Sequence, residues 1–331
     1  MASTESVRTL TEPAGAAQLP APRPAPSRPA PAQSPPPPGG GPAGALLRLT
    51  RPEQWLKNLA VVPLALLDTR SWSAGALRDT AEAVLAFTLM SAFIYVVNDL
   101  KDKDRDRRHP VKRHRPIASG QVGTALAGTL AGLLLAAVAL LVAATGGIAT
   151  GWPVLAYLVV NIAYTAGLKH VPLVDVFCVA TGFVLRLVQG YLALGKEPSQ
   201  WLELCVFAFC LLLIIGKRRR EMTVGGTGHR PALAGYSVPL LDNLIGLAGV
   251  LAVISYALYL YAMAHTGAVA QATAFISAPC AIFGVARHIQ IMLVQEGGGN
   301  PVHSLFRDRI SVVNSLVWAA LFATTVLLPH A

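Results

Sequence analysis

The chain has 331 residues, 53% of them hydrophobic and only 13% charged, with a formal net charge of +10. Soluble domains carry roughly 25% charged residues; apolar runs near 20 residues recur here, which excludes a soluble globule and reads as an integral membrane protein. The basic surplus lies between the apolar runs, and no helix-turn-helix, zinc-finger or RNA-binding signature accompanies it, so nucleic acid is not an expected partner.

Residues 1–45, with "PAPRPAPSRPAPAQSPPPPGGGPAG", read as a disordered, proline-rich cytoplasmic tail of polyproline II character. They hold no apolar signal-peptide core. Residues 46–331 read as one all-α, polytopic membrane domain. Nine transmembrane helices are expected at about 56–72, 80–98, 120–142, 151–168, 172–194, 202–216, 239–263, 270–291 and 311–328. The first is short, contains Pro63 and carries Lys57; the sixth is expected to extend into the basic stretch after it. Cys178, Cys205, Cys210 and Cys280 lie inside apolar segments, lack metal or disulfide spacing, and read as small buried hydrophobes.

Loop parity sets the expected orientation. Loops after even-numbered spans hold Lys101, Lys103, Arg105, Arg107, Arg108, Lys112, Arg113 and Arg115, then Lys217, Arg218, Arg219, Arg220 and Arg230, then Arg307 and Arg309. The opposite set holds Arg70, Arg78 and Lys196. Basic loops stay cytoplasmic, so a multi-pass protein of the inner (plasma) membrane is expected, with its N-terminus and basic loops inside and its C-terminus outside.

The candidate chemistry follows the same order. "LTRPEQWLKN" brings Arg51, Lys57 and Asn58 to the start of the first span, where headgroup or substrate contact would suit them. "NDLKDKDRDRRHPVKRHRP" places Asp99, Asp102 and Asp106 three and four apart, on one face of a continued helix, with Asn98 beside them. Such carboxylates repel one another unless a cation joins them; they read as a divalent-metal–phosphate site or as a solvated face of alternating salt bridges. Asp104 points elsewhere. Lys112, Arg113 and Arg115 suit phosphate binding or cytoplasmic anchoring. "YTAGLKHVPLVDVF" holds Tyr164, Lys169, His170 and Asp175 at a membrane boundary, and Arg186 lies about three turns deeper. Intramembrane ionisable groups are functional candidates, or structural partners. "GKRRREMTVGG" supplies Lys217, Arg218, Arg219 and Glu221, a phosphate clamp or a topology signal. Asp242 marks the entrance to the seventh span, and Asp308, in the last even loop, is a further candidate ligand. Charge gathered at one membrane face favours an enzyme joining a soluble and a lipid substrate over a transporter, whose polar groups sit near the midplane.

The Asn98–Pro116 stretch resembles the first aspartate-rich motif of the UbiA superfamily of membrane prenyltransferases: Asn-Asp, aspartates three and seven positions after the first, then Lys-Arg-x-Arg-Pro. The resemblance covers about residues 46–328 and implies a UbiA-like bundle with cytoplasmic active-site loops. Members usually carry a second acidic motif after the sixth span; here that region is basic apart from Glu221. With "RPEQWLKN" and "YTAGLKHVPLVDVF", this departure resembles the actinobacterial branch of decaprenyl-phosphate phosphoribosyltransferases. That branch implies transfer of 5-phosphoribosyl from phosphoribosyl diphosphate to a polyprenyl (decaprenyl) phosphate, for cell-wall arabinan, within membrane lipid and as a homotrimer. By the same resemblance Asp99, Asp102 and Asp106 would hold Mg²⁺ against the leaving diphosphate, oriented by Asn98. Lys112, Arg113 and Arg115 would contact the diphosphate, Lys217, Arg218 and Arg219 the 5-phosphate, and Lys57 or Lys169 the lipid phosphate. Asn58, Tyr164, Asp175 and Glu221 complete the expected binding set. The alternative is a UbiA-type enzyme moving an isoprenyl group to an aromatic acceptor, which an acidic second motif would favour. The aspartate pattern of CDP-alcohol phosphotransferases is absent.

Overall fold

A computed structural model describes residues 41–69, 72–225, 231–263, 268–294 and 307–327. Most of the expected tail (1–40), Arg70, Gly226, Arg230 and residue 328 lie outside them. The described elements are all helical, with no strand among them. In chain order they are α1 (Pro42–Leu49), α2 (Leu56–Val61), α3 (Leu64–Thr69), α4 (Ala74–Lys101), α5 (Lys103–Arg107) and α6 (Thr124–Ala144). Then come α7 (Ile148–Ala166), α8 (Val174–Ala193), α9 (Gln200–Gly225), α10 (Val238–Met263), α11 (Ala268–Leu293) and α12 (Arg309–Leu327). Helix α1 straddles the expected boundary between tail and membrane domain.

Among the described residues seven helices are long and apolar enough to cross a membrane: α4, α6, α7, α8, the Gln200–Thr223 part of α9, α10, and the Ala272–Leu293 part of α11. A multi-pass membrane protein follows. The other two expected spans take different forms. The first is broken into α2 and α3 at Val62–Pro63, because proline lacks the N–H that would continue the ladder. The last is the shorter apolar stretch Arg309–Thr324 of α12.

Helix α8 forms the centre of the bundle, lying against α2, α3, α4, α7 and α9, and buries an almost continuous run from Leu185 to Tyr191. Gly190 makes the broken segment fit. A β-carbon there would collide with the Val62 carbonyl oxygen, so only glycine lets α8 approach the α2–α3 break. Tyr191 and Tyr259 both donate to Asp68 of α3, closing the end of α8 opposite its Asp175 end.

Helix lengths place the site. A 28-residue helix such as α4 is about 42 Å long and a 26-residue one such as α9 about 39 Å. The hydrocarbon layer is only about 30 Å thick. Both helices are therefore longer than the layer requires, and their last turns carry charge and polar groups, Asn98 and Asp99 on α4 and Lys217 to Glu221 on α9. The basic stretch Lys217–Glu221 is thus helical, as continuation of the sixth span predicts, and not a loop.

Candidate active site

The aspartate-rich segment bends at Asp102. Helix α4 ends at Lys101, Asp102 takes φ −89° and ψ 3°, and α5 begins at Lys103. The Asp106 N–H still reaches the Asp102 carbonyl at 2.8 Å, so one turn spans the corner. Asp99 and Asp106 are both buried, Asp102 is half-buried, and Asp104 is exposed, within 3.6 Å of Arg107.

Arginines from two other segments close on the buried carboxylates. Arg115 Nη1 lies 3.1 Å from Asp99 Oδ1 and 2.7 Å from Asp106 Oδ2. Arg51 Nη2 lies 2.7 Å from the same Asp99 oxygen, and its guanidinium stacks 4.7 Å from the Tyr95 ring centroid. Arg51 precedes Pro52 and adopts a left-handed backbone, φ 52° and ψ 68°. The following proline disfavours the right-handed helical region, and the left-handed one costs a non-glycine residue about 1–2 kcal/mol. Asn98 accepts a hydrogen bond from Thr165 at 3.1 Å, linking α4 to α7. Lys112 and Arg113 are exposed on the 3-10 turn Lys112–His114, where Arg113 donates to the His114 ring.

One cationic nitrogen bridging Asp99 and Asp106 stands where a metal ion joining those carboxylates would stand. In this respect the pair fits a divalent cation. Asp102 makes no third arm, and among the described residues no group of three His, Cys, Asp or Glu side chains is gathered to hold a metal unaided. Oxygens from a ligand would have to complete the shell, as is usual for Mg²⁺ with phosphates.

Across from the carboxylates lies a set of cations. Lys57 on α2 is accessible to solvent yet lies within electrostatic reach of Arg186, Lys217 and Arg51, and of the Tyr157 hydroxyl. Neither Lys57 nor Lys217 has an ion pair among the described residues. Lys57 thus lies near charged groups of α8 and α9, and unpaired like charges brought together there suit an anion. Lys169, half-buried on the 3-10 turn Leu168–His170, also lacks an ion pair among the described residues.

The second motif does not act as one clamp. Successive helical residues point about 100° apart, so Lys217, Arg218 and Arg219 fan outward. Lys217 is exposed. Arg218 turns into the bundle, donating to Asp175 at 2.9 Å and Glu221 at 2.8 Å. Arg219 pairs with Asp242 at the start of α10. Asp175 also accepts from the Tyr236 hydroxyl at 2.8 Å, which in turn accepts from the Leu173 N–H at 2.6 Å. Burial pushes the Tyr236 phenol up to about 12, so it stays a protonated donor at neutral pH. Tyr164 at the end of α7 lies within electrostatic reach of Arg218.

Deeper in the bundle, Arg186 donates to Asn58 Oδ1 at 2.6 Å, Tyr157 Oη at 2.9 Å, Ser91 Oγ at 3.4 Å and the Gly182 carbonyl. The rings of Phe87, Tyr157 and Phe183 surround it. No carboxylate pairs with it among the described residues, so neutral acceptors and π-faces carry a buried charge. Asn58 belongs to this hub, donating onward to Thr88 at 3.1 Å.

The structure thus joins Asp99, Asp106 and Arg115, and separately Asp175, Arg218 and Glu221. It adds Arg51, Tyr236, Asp242 and Thr165 as partners. Arg51 stood in a quoted motif without an assigned carboxylate; Tyr236 and Thr165 lie 61 and 67 residues from theirs and leave no local signal.

The UbiA prenyltransferase family model matches residues 60–298. The chain is 31% identical over 282 residues to the decaprenyl-phosphate phosphoribosyltransferase of Corynebacterium glutamicum, covering 83% of this chain and 85% of that one. It is also 31% identical to the enzyme of that name from Mycolicibacterium smegmatis, covering 85% and 92%. A UbiA homologue from Archaeoglobus fulgidus bound to GPP and Mg²⁺ superposes with a TM-score of 0.62 at 20% identity, over 85% of this chain and 98% of that one. Helical architecture, family match and relatives covered over most of their length agree: the chain belongs to the UbiA prenyltransferase family.

Proposed function

We propose that this protein transfers 5-phosphoribosyl from 5-phosphoribosyl 1-diphosphate to decaprenyl phosphate, giving decaprenylphosphoryl-5-phosphoribose and diphosphate for arabinan synthesis. The observation that carries this reading is the second motif. Where the superfamily's prenyl-diphosphate enzymes carry a second acidic motif, α9 presents an unpaired, accessible Lys217 beside Lys57. This pair of lysines suits a substrate bearing a phosphate remote from its diphosphate. The names of the two bacterial relatives support the same donor and acceptor.

Asp99 and Asp106 would hold Mg²⁺ against the leaving diphosphate, with Asp102 at the corner and Asn98 orienting the group. Bound there, Mg²⁺ neutralises charge developing on the leaving oxygens. Lys112, Arg113 and Arg115 line the diphosphate side. Lys217, with Lys57 near it, takes the 5-phosphate, while Arg218 and Arg219 hold α9 in place through Asp175 and Asp242. Lys57 or Lys169 positions the lipid phosphate. An oxygen of that phosphate bonds to C1 as the bond from C1 to the diphosphate oxygen breaks, and the electron pair leaves with the diphosphate. The attacking phosphate is already ionised, so no general base is required. Attack opposite the leaving group inverts the anomeric centre.

In this reading the aspartate-rich and basic segments face the cytoplasm, where phosphoribosyl diphosphate is found. The chain crosses the plasma membrane nine times, with α2–α3 and α12 completing the seven long spans, and its C-terminus lies outside. Competition binding tests the donor: purified protein with Mg²⁺ should be protected from thermal unfolding by phosphoribosyl diphosphate well below the concentration at which geranyl diphosphate acts. The reverse order would favour prenyl transfer to an aromatic acceptor.

A further inference from the structure

Arg51 pairs with a carboxylate of the first motif and lies toward the cations around Lys57. Its nitrogen lies 2.7 Å from Asp99, and it lies within electrostatic reach of Lys57. Its side chain retains 26% exposure while that of Asp99 retains 3%. The arginine therefore lies between the carboxylate and solvent. Arg115, 29% exposed, covers the same Asp99 oxygen and reaches Asp106. The left-handed backbone at Arg51 directs the side chain here, and Tyr95 supports the guanidinium from below.

Two carboxylates and two guanidinium groups balance in charge. A divalent cation arriving alone would displace both arginines and leave them uncompensated beside Lys57 and Lys217. A cation arriving with diphosphate offers the arginines new acceptors, in the fork geometry that guanidinium and phosphate share. We propose that Arg51, together with Arg115, is an exchangeable counter-ion: it pairs with Asp99 as seen here, and passes to diphosphate oxygens when a metal–diphosphate takes the carboxylates. Metal and diphosphate consequently bind as a unit, and Arg51 is a diphosphate-binding residue. The inference rests on the reading of Asp99 and Asp106 as a metal–diphosphate site, but not on which organic group the diphosphate carries.

Inorganic diphosphate and Mn²⁺ are therefore suitable probes. Mn²⁺ binding to the full chain in detergent is followed by electron paramagnetic resonance, with and without diphosphate. The wild type should bind Mn²⁺ at least about tenfold more tightly with diphosphate than alone, tenfold being the scale of one charge-assisted hydrogen bond. Arg51→Gln should move the two affinities in opposite directions: Mn²⁺ alone binds more tightly because a competitor is gone, and diphosphate binds about tenfold more weakly. Arg51→Lys, which keeps the charge and loses the fork, should fall between them, and matched melting temperatures establish that all three are folded. A purely structural Arg51 would weaken both affinities together, and that result overturns the inference, as does an Arg51→Gln protein that matches wild type. In either case joint binding by the wild type leaves the metal–diphosphate site standing. Absence of joint binding in the wild type overturns the site and the inference with it.

Discussion

Arg218 Nε and Asp175 Oδ2 lie 2.9 Å apart, both side chains closed to solvent, and tie the end of α9 to the start of α8. This contact fixes the helix that presents Lys217. Breaking a buried pair from one side strands a charge and costs about 3–5 kcal/mol. Arg218→Met or Asp175→Ala alone should therefore lower the melting temperature sharply. The double variant Asp175→Asn/Arg218→Met should recover most of that loss, because neither charge remains. Thermal unfolding of the purified single and double variants measures the difference; a double variant that loses the sum of the two single losses would show that the two charges act independently and contradict this.

Tyr236→Phe removes the donor to Asp175 and the acceptor for the N–H of Leu173, a residue with a positive φ of 65°. The expected cost is about 1–3 kcal/mol, since the Leu173 N–H is left unpaired. Amide hydrogen exchange at the start of α8 should accelerate, while the far end of the helix near Tyr191 stays protected.

Gly190→Ala places a β-carbon against the Val62 carbonyl oxygen. Backbone must move, and the movable backbone is the α2–α3 break. The Asn58–Arg186 hydrogen bond then lengthens, and Lys57 shifts with its helix. A loss of thermal stability of about 1–3 kcal/mol, the usual scale of overpacking, should accompany loss of transfer activity. Gly246, which has open space at its β position, is the control: Gly246→Ala should leave both properties unchanged.

Lys57→Met and Lys217→Met should separate stability from binding. Each removes one of two mutually repelling charges that lack an ion pair among the described residues, so the melting temperature should hold or rise slightly. Affinity for phosphoribosyl diphosphate should fall about tenfold for Lys217→Met, the scale of one charge-assisted contact. Isothermal titration of each variant, beside its unfolding curve, checks both halves.

Hydrogen bonds from Arg287 and Ser311 hold the Asp308 carboxyl well below the usual carboxylate range. The folded value lies below the unfolded one, so the Arg287–Asp308 contact stabilises α11 against α12 above an unfolded value of about 3.9. That stabilisation is lost as pH falls through the depressed folded value. Between pH 7 and pH 5 the contribution of this contact should be constant, adding no pH dependence to unfolding. Below pH 4 the wild type should lose stability faster than Asp308→Asn.

The seven long spans were legible because a 20-residue apolar run has few other uses in a protein. The Asp99–Asp106 spacing was legible, but the continued helix expected to put both on one face breaks at Asp102, and Arg115 is what joins the two carboxylates. The break at Pro63 was visible as a proline in a short span, but its depth depends on Gly190, more than a hundred residues away. The second motif shows the limit most clearly. Composition identified Lys217 to Glu221 as basic, and only the rotation of α9 separates accessible Lys217 from Arg218 and Arg219, which already have carboxylate partners. Arg51 escaped assignment because its partner Asp99 lies 48 residues away, and no local pattern marks a left-handed arginine before proline as a counter-ion.

The most direct test of the central claim supplies purified protein with Mg²⁺, phosphoribosyl diphosphate and decaprenyl phosphate, and identifies the lipid product by mass spectrometry. The account predicts a lipid heavier by one phosphoribosyl group, diphosphate released in equal amount, and near-complete loss of both in Asp99→Asn and Asp106→Asn proteins that retain their fold. Transfer of an isoprenyl group to an aromatic acceptor, with no phosphoribosylated lipid, would contradict it.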